Sequence, residues 1–156
     1  MVVENRRGEF LISTDPARLD LNVIHEFLTN CYWAKGIPRD LVARSIEHAL
    51  CFGVYDGNRA QVAFARVISD FGTIAYIGDV FVLETFRGRG LGKWLMECIM
   101  SHPALQNLRR WILTTRDAHG LYSQVGFTPV KFPERYMERL DPQVYESTAR
   151  EVRKTT

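Results

Sequence analysis

Cysteine is scarce in this chain. Three cysteines, Cys31, Cys51 and Cys98, occur among 156 residues, and their spacing matches neither a disulfide framework nor a zinc motif. All three stand among apolar residues, so we expect reduced core thiols in a cytoplasmic protein and no metal site. None has a histidine in a recognisable nucleophile context, so we do not expect a catalytic thiol.

An excess of one charge is also absent. The 20 Lys and Arg residues nearly balance the 18 Asp and Glu residues, giving a formal net charge of +2, and the two signs are interspersed. This balance argues against a nucleic-acid partner, because a surface that binds phosphate backbones needs a broad positive field. Any positive patch must be local.

Long apolar runs are missing too. No stretch could span a bilayer, and the charges near the N-terminus have no apolar region behind them, so we expect neither a signal peptide nor a membrane partner. The chain is nevertheless 46% hydrophobic. That fraction suits one compact domain with a sizeable core and leaves no room for a second catalytic domain.

Apolar spacing and turn residues predict seven strands and four helices. The strands are expected at Phe10–Ser13, Cys51–Tyr55, Gln61–Ser69, Thr73–Leu83, Trp111–Leu113, near Phe127–Val130 and near Arg135–Leu140. The helices are expected over Leu21–Tyr32, Val42–Leu50, Leu91–Ile99 and Ala118–Gln124. The polar segment 141–156 fits either a loose tail or a partner-contacting helix.

The most informative segment is a glycine-rich, doubly basic loop, Arg87–Gly92, between an apolar run and a predicted helix. Glycine permits positive φ and lets bare backbone N–H groups approach an anion, while the start of a helix adds partial positive charge. The loop therefore predicts a phosphate site. The alternative is a glycine-rich turn whose basic side chains are only solvated.

Spacing separates the known phosphate loops. The dinucleotide-binding motif, Gly-x-Gly-x-x-Gly, has two residues between its second and third glycines, but only one residue separates Gly90 from Gly92. A triphosphate loop needs four residues between its glycines and Ser or Thr after the lysine, but Gly88 and Gly92 enclose three residues and Trp94 follows Lys93. What remains is Arg/Gln-x-x-Gly-x-Gly/Ala, with Arg87, Gly90 and Gly92 in the defined places.

With this loop the chain resembles the GNAT superfamily of acyl-CoA-dependent N-acyltransferases. A second motif supports the resemblance, since Leu121-Tyr122 followed by Gly126-Phe127 looks like the Tyr-x-x-x-Gly-Phe signature of that family. The resemblance covers about residues 9–140 and implies a single domain over residues 1–140. It implies an α/β (α+β) fold: a mixed, mostly antiparallel central sheet of about seven strands with about four helices, whose splayed central strands form the acyl-CoA cleft.

The resemblance also implies which residues bind acetyl-CoA as co-substrate. The backbone of Phe81 and Val82 would pair with the pantetheine arm. Many relatives carry an asparagine that contacts CoA where this chain has Thr115. The pyrophosphate would be held by the loop and helix start, namely Arg87, Gly88, Arg89, Gly90, Leu91, Gly92 and Lys93.

Acyl transfer to an amine requires the amine to lose a proton and the departing thiolate to gain one. Tyr122 matches the general-acid position of the family; the alternative is that it only packs or hydrogen-bonds to CoA. Asp79 interrupts an apolar strand and is our candidate for the base. A structural carboxylate that pairs with an arginine is an equally good interpretation of Asp79.

The amine acceptor is not named by the sequence. Tyr32 and Trp33, at the junction of the first two helices, and His119, one turn before Tyr122, are candidate substrate-binding residues. We expect acetyl transfer from acetyl-CoA to a primary amine of a small molecule or a protein. A CoA-binding regulatory module without turnover and a nucleoside-triphosphate binder are the alternatives. A homodimer is compatible with the resemblance, because relatives often dimerise.

Overall fold

The computed structural model describes residues 1–146. Its six strands are β1 (Glu4–Arg7), β2 (Phe10–Ser13), β3 (Leu50–Tyr55), β4 (Gln61–Ser69), β5 (Ile74–Val82) and β6 (Arg110–Leu113). The α-helices that lie wholly within these residues are α1 (Leu21–Asn30), α2 (Arg39–Glu47), α3 (Leu91–Met100) and α4 (His119–Ser123). Within this part of the chain, no helix is long and apolar enough to cross a membrane.

All six strands form one sheet in the order β1-β2-β3-β4-β5-β6. Every neighbouring pair from β1 to β5 is antiparallel, and β5 pairs with β6 in parallel. The parallel pair requires a crossover, and α3 provides it, as expected for a strand-helix-strand unit. The predicted α/β fold with a mixed, mostly antiparallel sheet is confirmed.

Helices cover both faces of the sheet. One cluster of buried residues packs α3 and α4 against the sheet, and a second packs α1 and α2 against the other face. Successive strand residues point to opposite faces, so Ala63 and Ala65 belong to the first cluster while Phe64 between them belongs to the second. The central strands are therefore buried on both sides, which fixes the position of the loop that follows β5.

The two predicted C-terminal strands are wrong. Residues 127–140 join no sheet in the described chain, and Pro133–Arg135 forms a 3-10 turn instead. Pro129 and Pro133 have no N–H to donate to a ladder, and Pro133 starts the turn. The predicted tail is described only as far as residue 146; its remainder, residues 147–156, lies outside the described residues.

An unpredicted N-terminal strand brings the number to six. All four residues of β1 are exposed, so the apolar alternation that reveals a strand is absent. The strand forms because Gly8, with a φ of 59°, turns the chain back and pairs Arg7 with Phe10 of β2.

Candidate active site

The central feature of the site is the separation of β5 from β6. Their ladder runs from Ile74 paired with Arg110 to Ile77 paired with Leu113, and β6 then ends. β5 continues to Val82 with β4 as its partner. A cavity of about 880 Å³ opens where the two strands part, lined by residues of β5, of the β6–α4 connection, of α4 and of the α1–α2 connection. The predicted splay of the central strands is confirmed.

A β-bulge lies in β5 at this cavity. The register with β4 shifts between the pairs Arg66–Gly78 and Phe64–Phe81, so that Asp79 and its neighbour oppose a single residue. Asp79 has a φ of 55°, a left-handed conformation that few residues other than glycine, Asn and Asp adopt. A bulge bends its strand and redirects a side chain. Here Asp79 lines the cavity.

The Asp79 carboxylate has two partners. One oxygen forms an ion pair of 2.8 Å with Nε of Arg66, and the other accepts a hydrogen bond of 3.0 Å from Nε1 of Trp33. The side chains of Asp79 and Arg66 are only 11% and 18% exposed. The arginine pair that the sequence left open is therefore present, and the carboxylate still lines the cavity.

Tyr122 reaches the cavity from α4 and is nearly buried. Gly126, with a φ of 94°, reverses the chain after α4, and the N–H of Phe127 then donates to the carbonyl oxygen of Tyr122. The rings of Tyr122 and Phe127 meet edge to face, 6.1 Å apart. The Tyr-x-x-x-Gly-Phe motif thus serves locally to fix the tyrosine.

The environment of Tyr122 favours its neutral form. Burial is the largest cause that raises the pKa of its phenol, and the neighbouring Tyr32 and Tyr76 raise it further. The phenol therefore keeps its proton at neutral pH.

Tyr32 and Arg116 meet across the mouth of the cavity. The guanidinium carbon of Arg116 lies 3.8 Å from the centre of the Tyr32 ring, and the backbone N–H of Arg116 donates to the Tyr32 hydroxyl at 3.3 Å. Trp33 contacts the same tyrosine ring at 5.1 Å. This contact joins the α1–α2 connection to the β6–α4 connection.

The remaining candidate residues near α4 have different positions. Thr115 lines the cavity, and its hydroxyl oxygen accepts a hydrogen bond of 3.0 Å from the N–H of Ala118, which shapes the chain entering α4. His119 is exposed and does not line this cavity. The structure therefore brings Tyr32, Trp33, Asp79, Thr115 and Tyr122 together, and leaves His119 outside.

The glycine-rich loop has the geometry of an anion site. Gly88 and Gly90 have φ of 78° and 74°, and no side chain caps the start of α3 at Gly90. A second cavity, of about 420 Å³, lies against this helix start and is lined by Gly88, Gly90, Gly92 and Lys93 among others. The backbone N–H groups of the first turn have no intrahelical partner and are available to an anion.

The end of β5 leads from the first cavity to the loop. Phe81 is buried and stacks on Phe27 with ring centres 4.0 Å apart, so its side chain anchors the strand. The carbonyl oxygen of Val82 accepts a hydrogen bond of 3.0 Å from Nε of Arg87. Arg87 therefore already contacts the strand that the family resemblance assigns to the pantetheine arm.

Several residues that line the cavity were not predicted from the sequence, because they belong to no motif. Arg66 and Tyr76 are strand residues whose neighbours gave no chemical signal, and Arg116 stands in an ordinary polar loop. Residues after the last strand also line the cavity, namely Glu138, Leu140 and Tyr145. In the described part of the chain, no cluster of three or more His, Cys, Asp or Glu residues could hold a metal ion.

Comparison with known proteins agrees with this geometry. Residues 46–129 match the model of the GNAT acetyltransferase domain. A Gibberella zeae protein assigned as an acetyltransferase is 31% identical over 140 residues, which cover 76% of this chain and 78% of the relative. A crystal structure of a Xanthomonas campestris protein assigned to the GNAT family is 53% identical, with a TM-score of 0.85, and the match covers 90% of this chain and 99% of that one.

More distant structures share the fold. A Clostridium acetobutylicum protein assigned as an acetyltransferase, solved with acetyl-CoA, has a TM-score of 0.60 at 14% identity, and the match covers 90% of this chain and 96% of that one. The domain match, the relative and the close structure agree with the splayed strands and the two motifs. The chain therefore belongs to the GNAT acetyltransferase family.

Proposed function

We propose that this chain transfers the acetyl group of acetyl-CoA to a primary amine by direct attack, without a covalent enzyme intermediate. The observation that carries the proposal is the course of β5. Its open part, Gly78–Val82, spans about 13 Å at about 3.3 Å per residue. It has Asp79 at the large cavity and Val82 at the glycine-loop cavity. A long donor with a phosphate end and a thioester end fits this arrangement.

The loop supplies the phosphate end of the proposal. The uncapped amides at the start of α3, with the charges of Arg87 and Lys93 at the cavity, suit a pyrophosphate. The guanidinium of Arg89 lies over the Phe86 ring instead. Gly88, Gly90, Leu91 and Gly92 provide the backbone around it. The residues present therefore fit CoA, although no side chain of the loop is specific for it alone.

The strand supplies the pantetheine part. Within residues 1–146, the edge of β5 that faces β6 has no strand partner at Phe81 and Val82. Backbone groups at this edge suit the amides of the pantetheine arm. The Val82 oxygen already accepts from Arg87. A carbonyl oxygen has two lone pairs, so it is able to accept from an amide as well. Thr115 offers a hydroxyl on the far wall.

In the chemical step the amine nitrogen forms a bond to the acetyl carbon, and the bond from that carbon to sulfur breaks. Asp79 accepts the proton of the amine, directly or through water, with Arg66 and Trp33 fixing its orientation. Tyr122 donates its phenolic proton to the departing sulfur. The proton on Asp79 then returns to Tyr122 through solvent, so that the enzyme ends unchanged.

The acceptor lies, in this proposal, at the end of the cavity walled by Tyr32 and Trp33. Aromatic walls suit the apolar part of an amine or an ammonium group. The acceptor is a small-molecule or protein amine, and we assign no role to His119. Action in the cytoplasm and assembly as a homodimer remain expectations of the same proposal.

The test is a panel of amines incubated with acetyl-CoA, with release of free thiol as the measurement. Amino acids, polyamines, aminoglycosides and peptides with free N-termini represent the acceptor classes, and a sample without amine measures hydrolysis. Amine-dependent thiol release, with an N-acetylated product by mass spectrometry, is the expected result. Tight CoA binding without transfer to any amine would favour a regulatory module. Stabilisation by ATP with Mg²⁺ but not by acetyl-CoA would contradict CoA binding itself.

A further inference from the structure

The N-terminal hairpin of β1 and β2 lies against the glycine-rich loop, although both strands fall outside the matched residues 46–129. Arg7 and Phe10 face each other in the hairpin register, so their side chains share one face of the sheet. The Phe10 ring meets the Phe86 ring edge to face at 6.3 Å, just before the loop. Arg7 contacts the other end of the loop.

The contacts of Arg7 fix its guanidinium in one place. Its central carbon lies 4.7 Å from the centre of the Trp94 ring, and Nη2 donates a hydrogen bond of 3.3 Å to the carbonyl oxygen of Arg89. Trp94 is nearly buried in the first turn of α3, so it provides a rigid platform. Nη2 also lies 3.6 Å from the point where a Cβ of Gly90 would stand.

The hydrogen bond to Arg89 determines the direction of a neighbouring N–H group. In a trans peptide the carbonyl and the following N–H point in opposite directions. Holding the Arg89 carbonyl toward Arg7 therefore turns the N–H of Gly90 away from the hairpin. Gly90 lines the loop cavity, whereas Arg7 and Arg89 do not. The side chain of Arg7 thus contacts the loop on the side away from the loop cavity.

We propose that Arg7 is a positioning residue for the donor site: it holds the Arg89–Gly90 peptide so that the Gly90 N–H faces the pyrophosphate. The inference rests on the proposed function, because the anion is taken to be that of CoA. It assigns the N-terminal hairpin a part in acetyl-CoA binding without any contact with acetyl-CoA. Arg7 acts through one backbone amide and not through its own charge.

The first test measures CoA affinity by titration calorimetry, together with steady-state kinetics. We expect Arg7→Gln to weaken CoA binding and raise the KM for acetyl-CoA by about tenfold, the size expected when a charge-assisted hydrogen bond is lost, with kcat within about twofold of the parent. Arg7→Lys keeps the positive charge but lacks the planar guanidinium group, so its loss of CoA affinity should be smaller than that of Arg7→Gln. Arg6→Gln is the matched control, since it removes the same charge one residue away, and should change neither value.

The second test needs no bound molecule. Hydrogen exchange of the backbone amides of residues 86–92 should be faster in Arg7→Gln than in the parent chain and unchanged in Arg6→Gln. Arg7 lies on an exposed strand, so these variants should fold normally, and circular dichroism with thermal unfolding checks that they do.

Three results would overturn the proposal. The first is an unchanged CoA affinity in Arg7→Gln. The second is an equal loss of CoA affinity in Arg6→Gln and Arg7→Gln, which would indicate a general charge effect. The third is an unchanged rate of hydrogen exchange at the loop amides in Arg7→Gln. A parent chain that binds no CoA would contradict the proposed function instead. In that case the exchange measurement would still decide whether Arg7 orders the loop.

Discussion

Trp33 donates a hydrogen bond of 3.0 Å to the carboxylate of Asp79, joining the α1–α2 connection to the bulge in β5. The other carboxylate oxygen pairs with Arg66 of β4. The Asp79 carboxylate therefore links two elements that line the cavity, the α1–α2 connection and β4. In the proposed mechanism, an acceptor that moves Trp33 would also move the Asp79 carboxylate.

Asp79→Asn should lower both stability and turnover. Asparagine tolerates the left-handed φ of this position, so the bulge survives, but nearly buried Arg66 loses its counter-charge. We expect a loss of about 2 kcal/mol in the free energy of unfolding, measured by urea denaturation. Trp33→Phe, which removes one neutral donor and leaves the ion pair, should lose less. Equal stability of the parent and of Asp79→Asn would show that the Arg66–Asp79 ion pair contributes nothing to the free energy of unfolding.

Tyr122→Phe should lower kcat by about a hundredfold while leaving CoA affinity nearly unchanged, because only the proton donor is lost. Tyr76→Phe is the control, since its hydroxyl lines the same cavity but contacts Thr114. Burial raises the pKa of Tyr122 above its ordinary value near 10, so ionisation of the phenol should not reduce turnover of the parent below about pH 10. A kcat that is equal in the parent and in Tyr122→Phe at every pH would exclude the acid role.

The glycines of the loop should differ in their tolerance of a side chain. Gly90 has a left-handed φ, so Gly90→Ala should cost about 1 kcal/mol locally and weaken CoA binding. Gly92 lies in α3, and a Cβ there would meet Leu121 at an ordinary distance of 3.7 Å. Gly92→Ala should therefore keep its stability and its CoA affinity. Calorimetry on the two variants compares them directly, and the reverse order would contradict this account.

His102 should make the stability sensitive to mild acid. It is buried against Phe52, its Nδ1 accepts from the N–H of Ala104, and burial lowers the pKa of its ring below the ordinary value near 6.5. Below pH 6.5 the unfolded chain binds a proton that the folded chain does not. Stability therefore falls as the pH drops, by at most about 1.4 kcal/mol per pH unit, until the folded ring is also protonated.

His102→Asn provides the comparison, because asparagine can accept the same backbone hydrogen bond without titrating in this range. The difference in unfolding free energy between parent and variant should change steadily between pH 7 and pH 5 in urea denaturation. A difference that stays constant over that range would show that His102 does not gain a proton on unfolding.

Local features of the chain were predictable from its sequence. The three-strand meander and the helix after the glycine loop follow from periodicity and turn chemistry within about ten residues, whereas Tyr122 was identified through the resemblance to the GNAT family. β1 was missed because its four residues are exposed and carry no alternation. The two C-terminal strands were wrong because Pro129 and Pro133 have no N–H to donate to a ladder.

The contacts that assemble the site were not predictable in the same way. Trp33 and Asp79 are 46 residues apart, Tyr32 and Arg116 are 84 apart, and Arg7 and Arg89 are 82 apart. Spacing along the chain carries no information about such pairs, since they meet only after the sheet has brought their elements together.

By itself, then, the sequence determined a glycine-rich loop ahead of α3 and two motifs that resemble those of the GNAT family, because a short motif lies within a few neighbouring residues. Only the tertiary structure decided that Asp79 is shared between Arg66 and Trp33, and that an N-terminal arginine lies behind the loop. Those positions depend on which strands pair and in which register. The burial of the whole core sets the register, and no single segment does.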